Sequence, residues 1–339
     1  MVIQSPGEAL NCLMKNSRCF ALLYGLIGYL VCSPVSAAWY SQETEKMGTL
    51  VRVEIWHQDA AIAGQLIAKV FAKMQRIENS MSPYIESSLL SQVNRDAARQ
   101  EVSIDDELYY VIKKSLDYSL KTQGDFDITF ASVGHLYDYR SAKKPSAQQL
   151  QAKLSAIDYR SVVLDETNKT IRFLNSNTKV DLGGIAKGYA VDQCIELLKQ
   201  HGVTSALVSA GGDSRLLGDR QGRPWYIGIK NPRGDGNVMK LPLVDVAVST
   251  SGDYERFFEF EGERYHHILN PQTGTSAKNI QSVTIIADRA IDSDALSTSV
   301  FVMGKDKGLK LIESLANVSA IIIQGNGEVF YSSDLVRPD

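Results

Sequence analysis

Three separated segments hold the side chains that could do chemistry. The first is residues 180–192, Val-Asp-Leu-Gly-Gly-Ile-Ala-Lys-Gly-Tyr-Ala-Val-Asp. Gly183 and Gly184 stand between a strand-like apolar run and an amphipathic helix, and Lys187 follows in the first helical turn. Free backbone N–H groups, a helix dipole and a cation together suit an anion, most simply a phosphate. A plain structural turn is the competing reading. Lys187 tilts the balance toward a ligand, because a cation opposes the dipole at a helix N-terminus by roughly 0.3–1 kcal/mol unless an anion shares the site. The spacing is neither a Walker loop nor GxGxxG.

The second segment runs Asp-Ser-Asp-Ala-Leu-Ser-Thr-Ser from Asp292. Asp294, Ser297 and Thr298 stand at i, i+3 and i+4, so their oxygens share one helix face. A carboxylate with hydroxyls is a hard-oxygen set that suits Mg²⁺ rather than zinc. The alternative is that Asp292 or Ser293 caps the helix and the remainder meets solvent. Leu296, Val300 and Phe301 make the helix strongly apolar, which favours a polar face turned into a cleft. The third segment joins Thr250-Ser-Gly-Asp-Tyr-Glu to Tyr265-His-His-Ile-Leu-Asn-Pro-Gln-Thr-Gly. Adjacent residues on an extended chain point to opposite sides, so one of His266 and His267 can face a given site. Of the five histidines these are the base candidates, against the alternative of a hydrogen-bonded loop residue. No histidine–cysteine cluster has zinc spacing, and Gly-x-Ser-x-Gly is absent.

The elements that must position these groups are legible in outline. The 339 residues are 44% hydrophobic and 22% charged, an ordinary globular composition, and the net charge of −3 shows no basic excess of the kind a nucleic-acid binder carries. Val51, Val53 and Ile55 alternate as a strand, and Ile62, Leu66, Val70, Met74 and Ile77 follow at helical spacing. Leu108, Ile112, Leu116 and Leu120 form a second stripe, read as core and ended by Gly124. A hairpin is expected around 166–169, and a helix from the glycine motif to about residue 200. Strands are expected at 206–208, 226–229, 243–248, 283–287, 320–323 and 329–331, with helices at 292–303 and 307–315. Strands and helices mix without a regular βαβ repeat, which predicts a mixed α/β or α+β domain over 40–335.

The N-terminal 37 residues differ. Lys15 and Arg18 precede an apolar run of 14 residues, 19–32, and then small residues to Ala37. That order describes an export signal cleaved after Ala37, with Met14 as an alternative start. The run is short of the ~20 residues a spanning helix needs. Export to the periplasm follows, with attachment to the inner membrane through an anchor or a lipidated Cys32 as the alternatives. Cys12, Cys19 and Cys32 fall in this segment. Cys194 remains, forms no internal disulfide, and reads as a small buried residue.

Eight stretches in order carry a resemblance. Met47-Gly48-Thr49, Ser82-Pro83-Tyr84, the run from Gly124 to Thr129 and residues 180–192 are followed by the runs Ala206 to Asp213, Ser249 to Tyr254, His267 to Gly274 and Asp294 to Thr298. With these the chain resembles the ApbE family, the FAD:protein FMN transferases, from about Met47 to Gly304. The resemblance implies one large catalytic domain of mixed sheets flanked by helices. It implies a reaction in which a Ser or Thr hydroxyl of an acceptor protein attacks the flavin-side phosphorus of FAD. FMN stays on the acceptor as a phosphoester and AMP leaves. By the resemblance, Asp294 and Thr298 hold Mg²⁺ with Ser297 and a backbone oxygen of Gly184. Met47, Tyr84, Asp125, Phe126, Asp127, Asp181, Lys187 and Ile268 line the FAD site, and His267 is the base near the reacting phosphate. Acceptors of the family are FMN-carrying subunits of exported or membrane respiratory complexes and flavin-dependent reductases. The chain departs from the family pattern at Asn270 and Gln272, where Asp and Arg are common. Two other uses of such a site are an Mg²⁺-dependent FAD pyrophosphatase releasing FMN and AMP, and a non-catalytic periplasmic flavin-binding protein.

Overall fold

The computed structural model describes residues 37–336; the segment read as an export signal, 1–37, lies outside the described residues except for Ala37. Eight strands pair antiparallel in one sheet, and their order across the sheet is their order along the chain. They are β1 (Ala38–Lys46), β2 (Thr49–His57), β3 (Ala206–Ala210), β4 (Asp213–Leu217), β5 (Ala247–Gly252), β6 (Ile280–Ala287), β7 (Ser319–Gln324) and β8 (Val329–Tyr331). Helices supply the second layer: α1 (Ala60–Met81), α2 (Asp106–Lys121), α3 (Ala186–Gln200), α4 (Ala290–Met303) and α5 (Lys305–Glu313). Antiparallel pairing throughout, with helices inserted between strands, makes this an α+β fold.

The meander is interrupted by long excursions, and these bring in the chemistry. Residues 58–205 leave the sheet between β2 and β3 and return through α3. Between β5 and β6 the chain makes two small hairpins, Phe257–Phe260 with Glu263–His266 and Leu269–Asn270 with Thr275–Ser276. One core joins Val51, Val53 and Ile55 of β2 to Leu66, Val70 and Met74 of α1 and to Val191, Cys194 and Leu198 of α3. Cys194 is a buried free thiol within it. A second core gathers Leu108 and Ile112 of α2, Leu296, Val300 and Phe301 of α4, and Val283 and Ile285 of β6. Helix α4 is buried almost all round, as expected for a helix apolar on every side.

Several sequence expectations shift. On α2 the buried face is Leu108, Val111, Ile112, Ser115, Tyr118 and Ser119. Leu116 packs only partly against the core, and Leu120 is 69% exposed. Steps of four residues overshoot a 3.6-residue turn by about 40° each, so the stripe rotates off the buried face within three steps. The strand expected over 243–248 is two elements. Trp225–Lys230 with Asn237–Leu243 is a separate hairpin, and β5 begins at Ala247 after Asp245 turns in the left-handed region at φ 51°. The apolar run before the glycines is not a strand, because residues 178–182 have no strand partner.

Candidate active site

Helices α3 and α4 cross in backbone contact, and that crossing assembles the oxygen cluster. A Cβ placed on Gly188 would lie 2.1 Å from the Ala290 carbonyl oxygen and 2.8 Å from Asp294 Cβ. Only glycine permits this approach. The start of α4 is capped from across the crossing: the Asp192 carboxylate accepts from Ala290 N at 2.8 Å and Ile291 N at 3.0 Å. The cap expected from Asp292 or Ser293 is therefore supplied by α3, and α4 begins two residues earlier than its own sequence suggests. Asp292 instead accepts from Tyr118 Oη at 2.6 Å and pairs with Lys114 at 2.9 Å. Ser293 Oγ lies 2.7 Å from Ser249 Oγ.

Asp294 is 2% exposed and its Oδ2 accepts from Gly188 N at 2.9 Å. In an unbroken ladder that N–H would reach the Gly184 carbonyl. Turned to Asp294, it leaves the Gly184 carbonyl without a donor among the described residues. Gly184 sits against Thr298: a Cβ there would be 3.3 Å from Thr298 Oγ1 and 3.2 Å from the Phe126 ring. Ser297 is buried, donates to the Asp294 carbonyl at 2.9 Å, and lies 2.8 Å from Ser251 Oγ. Ser251 Oγ is also 3.3 Å from Thr298 Oγ1. Gly184 thus converges from a remote segment on Asp294, Ser297 and Thr298 of one helix face. Among the described residues no three His, Cys, Asp or Glu side chains gather as a metal cluster. One carboxylate, hydroxyls and an unbonded carbonyl fit a hard cation that keeps several waters and adds substrate phosphates, as Mg²⁺ does.

Lys187 lies in the middle of this cluster. Its Nζ is 2.8 Å from Asp213 Oδ2, 3.4 Å from both Asp294 oxygens, and 3.2 Å from the Gly183 carbonyl. Burial alone would lower the ammonium pKa; Asp213 and Asp294 more than offset it, so the group stays charged. Burial, and next the Asp213 carboxylate, push the Asp294 pKa up. The anions that share this helix N-terminus are therefore first of all protein carboxylates. Lys187 by itself did not require an external one. The Gly183 N–H is likewise committed, to Asp181 Oδ1 at 2.7 Å.

The two histidines divide as extended geometry requires. His266 points inward, with Nε2 2.8 Å from the Ala277 carbonyl and Nδ1 accepting from Ile268 N at 3.3 Å. Its ring meets Phe301 edge-on at 5.5 Å. His267 points the other way. Its N–H donates to the Arg256 carbonyl at 3.1 Å. Burial first, and then the Arg256 guanidinium, hold its pKa down to about 3, so the ring is neutral. The Lys187 charge also reaches it. Asn270 Oδ1 accepts from Gln272 N at 2.8 Å, closing the turn after the histidine. Aspartate would make the same bond, so the departure at Asn270 leaves the loop's shape intact.

The other expected residues fall into two groups. Asp181, Tyr84, Lys187 and His267 share an electrostatic neighbourhood with Arg256. Tyr84 is 82% exposed. Met47 forms the β1–β2 turn at φ 54°, and Arg256 donates to the Gly48 carbonyl of that turn at 3.2 Å. Asp125 is half-buried, and burial raises its pKa against the pull of Lys307. By contrast Phe126, Asp127 and Ile268 are internal. Phe126 packs edge-on against Tyr118 at 6.1 Å. The Asp127 carboxylate accepts from Thr129 N at 2.8 Å, Thr129 Oγ1 at 2.6 Å and Tyr159 N at 2.8 Å. Ile268 is buried in the core. Sequence reasoning passed over Asp213, Ser251 and Arg256. Asp213 and Ser251 lie in quoted stretches and follow glycine or precede it at strand ends, a usable signal; Arg256 lies on an exposed loop and carried none.

Comparison with known proteins identifies the family and the fold. The family model described as ApbE family matches residues 47–322. The FAD:protein FMN transferase of Treponema pallidum (strain Nichols) is 32% identical, covering 95% of this chain and 96% of its own. The crystal structure of the ApbE protein from Thermotoga maritima MSB8 superposes with a TM-score of 0.82 at 34% identity, covering 88% of this chain and 98% of that one. The flavin transferase ApbE from Vibrio cholerae superposes with a TM-score of 0.79 at 25% identity, covering 89% and 99%. With its fold, its oxygen cluster and these likenesses in agreement, the chain belongs to the ApbE family.

Proposed function

We propose that the protein is an FAD:protein FMN transferase that uses Mg²⁺ and modifies a Ser or Thr hydroxyl of an acceptor flavoprotein. The observation that carries this reading is the Asp294 carboxylate beside Thr298 and the unbonded Gly184 carbonyl, with Lys187 at 3.4 Å. Asp294, Thr298 and Gly184 would hold the cation, with Ser297 and Ser251 orienting them. When bound, Mg²⁺ neutralises charge on the diphosphate. Phosphoryl-type transfer leaves the protein mainly positioning and charge stabilisation to do. Lys187 remains ionised and favours the charge that grows on the departing AMP. The acceptor oxygen bonds to the flavin-side phosphorus, the bond to the AMP oxygen breaks, and the hydroxyl proton passes to neutral His267. Arg256 lies beside His267 and Asp181 and adds a cation to the same face.

The segment at 1–36 supports export to the periplasm, where the acceptors would be exported or membrane-bound subunits of respiratory complexes and reductases. The test mixes purified protein, FAD, Mg²⁺ and such subunits, and reads covalent flavin by in-gel fluorescence and AMP by chromatography. Covalent flavin that disappears with EDTA and returns with Mg²⁺ is expected. FMN and AMP appearing equally without any acceptor would make the protein a pyrophosphatase instead.

A further inference from the structure

The Gly211-Gly212-Asp213 turn is the part of the quoted motifs that the proposed reaction does not use. Gly211 is left-handed at φ 60°, and a Cβ on Gly212 would lie 2.5 Å from the Thr250 carbonyl. Two glycines thus let the turn press against β5 and deliver Asp213 at the first position of β4, opposite Ala210 and Ser249. Asp213 is 2% exposed, and its one ion-pair partner among the described residues is Lys187, at 2.8 Å. A buried carboxylate with a single cationic partner is strongly destabilising if that partner is lost, so the pair is tightly linked.

We propose that Asp213 is a positioning residue that parks the Lys187 ammonium away from Asp294 and so keeps Asp294 open to a divalent cation. This rests on the reading of Asp294 as a cation ligand. Lys187 has four acceptors within reach: Asp213 at 2.8 Å, the Gly183 carbonyl at 3.2 Å, and the two Asp294 oxygens at 3.4 Å. The closest contact goes to Asp213. Asp294 Oδ2 already accepts from Gly188 N, and Oδ1 keeps only the long contact to Lys187. Without the Asp213 charge, the nearest anion left for the ammonium is Asp294 itself. The ammonium then closes on the oxygen a metal would use. Lys187 and the cation therefore compete for one carboxylate, and Asp213 sets the outcome.

The test is a double-mutant cycle on cation affinity. Mn²⁺ binding is read by the EPR signal of free Mn²⁺, with saturating FAD and no acceptor, for wild type, Asp213→Asn, Lys187→Met and the double variant. Asp213→Asn is expected to weaken Mn²⁺ binding about 10–100-fold, the range typical when an outer partner of a metal site is lost. In the Lys187→Met background the same substitution should cost less than about threefold, because no ammonium is left to collapse onto Asp294. Equal losses in both backgrounds would overturn the proposal, since a simple field effect of the carboxylate is additive. Asp294→Ala is the control for the underlying reading: if it leaves Mn²⁺ affinity unchanged, Asp294 is not a ligand and both ideas fall. Should Asp213→Asn not fold, Asp213→Glu keeps the charge on a longer stem. Its smaller loss should vanish in the Lys187→Met background in the same way, and a loss that persists there overturns the proposal.

Discussion

The helix crossing and the histidine loop face the same neighbourhood but are built by different means. At the crossing, backbone meets backbone. Gly188 touches Ala290, Asp192 caps α4 from α3, and the carboxylate of Asp294 takes the N–H of Gly188. Gly188 brings the two main chains into direct contact, so the oxygen cluster is set by the packing of two helices. In the histidine loop, side chains bonded to main chain add to two short hairpins. Ser276 Oγ accepts from His266 N at 2.9 Å and donates to the His266 carbonyl at 2.7 Å, Tyr139 Oη donates to that same carbonyl at 3.3 Å, and Asn270 closes the turn. Under the proposed reaction, the carboxylate that would hold the ion sits on packed helices, and the histidine that would meet the acceptor sits on a loop.

Substitutions can break that contrast. Gly188→Ala should have the largest effect, because neither backbone can yield to a Cβ 2.1 Å from a carbonyl oxygen. A loss at or above the roughly 1–3 kcal/mol usual for overpacking is expected, read by chemical denaturation. A variant as stable as wild type would show that the crossing is looser than described. Asp294→Ala should retain the fold and abolish covalent flavin transfer, a loss beyond the about 10–100-fold typical of outer-shell changes. Transfer surviving with Mg²⁺ would separate the carboxylate from the reaction.

Asp192→Ala removes the cap on α4 and should cost about 1–2 kcal/mol with a smaller drop in transfer, seen as a lowered Tm. No change in Tm would leave the cross-helix cap without energetic weight. The smallest effect sharpens the loop side. Folding lowers the His267 pKa from 6.5 to about 3, so the unfolded chain takes up a proton first. The stability linked to this residue is complete above about pH 7 and is lost as pH falls through 6.5 toward 3. His266 shifts in the same direction. His267→Gln should therefore flatten the fall in Tm between pH 7 and pH 5 without removing it. Parallel curves for the two proteins would mean that His267 titrates alike folded and unfolded.

Much of the site was visible before the fold, for reasons tied to particular residues. Asp294, Ser297 and Thr298 announced themselves because 3.6-residue periodicity places them on one face wherever the helix lies. The opposite orientations of His266 and His267 followed from strand geometry alone. Asp127 and Ile268 are expected in the FAD site by resemblance, and the structure buries both side chains, Ile268 by packing and Asp127 with three hydrogen bonds. Leu120 was misplaced because a stripe of four-residue steps drifts around a helix. Arg256 was missed because an exposed loop arginine has no period and no motif.

Local rules determined which residues could share a face, which turns needed glycine, and where apolar stripes ran, since these depend on a few neighbours along the chain. Tertiary structure alone decided what lay opposite each face. Asp192 reaches a helix 98 positions away, Lys187 finds Asp213 as well as Asp294, and the Gly184 carbonyl loses its donor because α4 arrives to take it. Those partners are selected by the packing of whole elements, and no window of sequence contains both members of the pair.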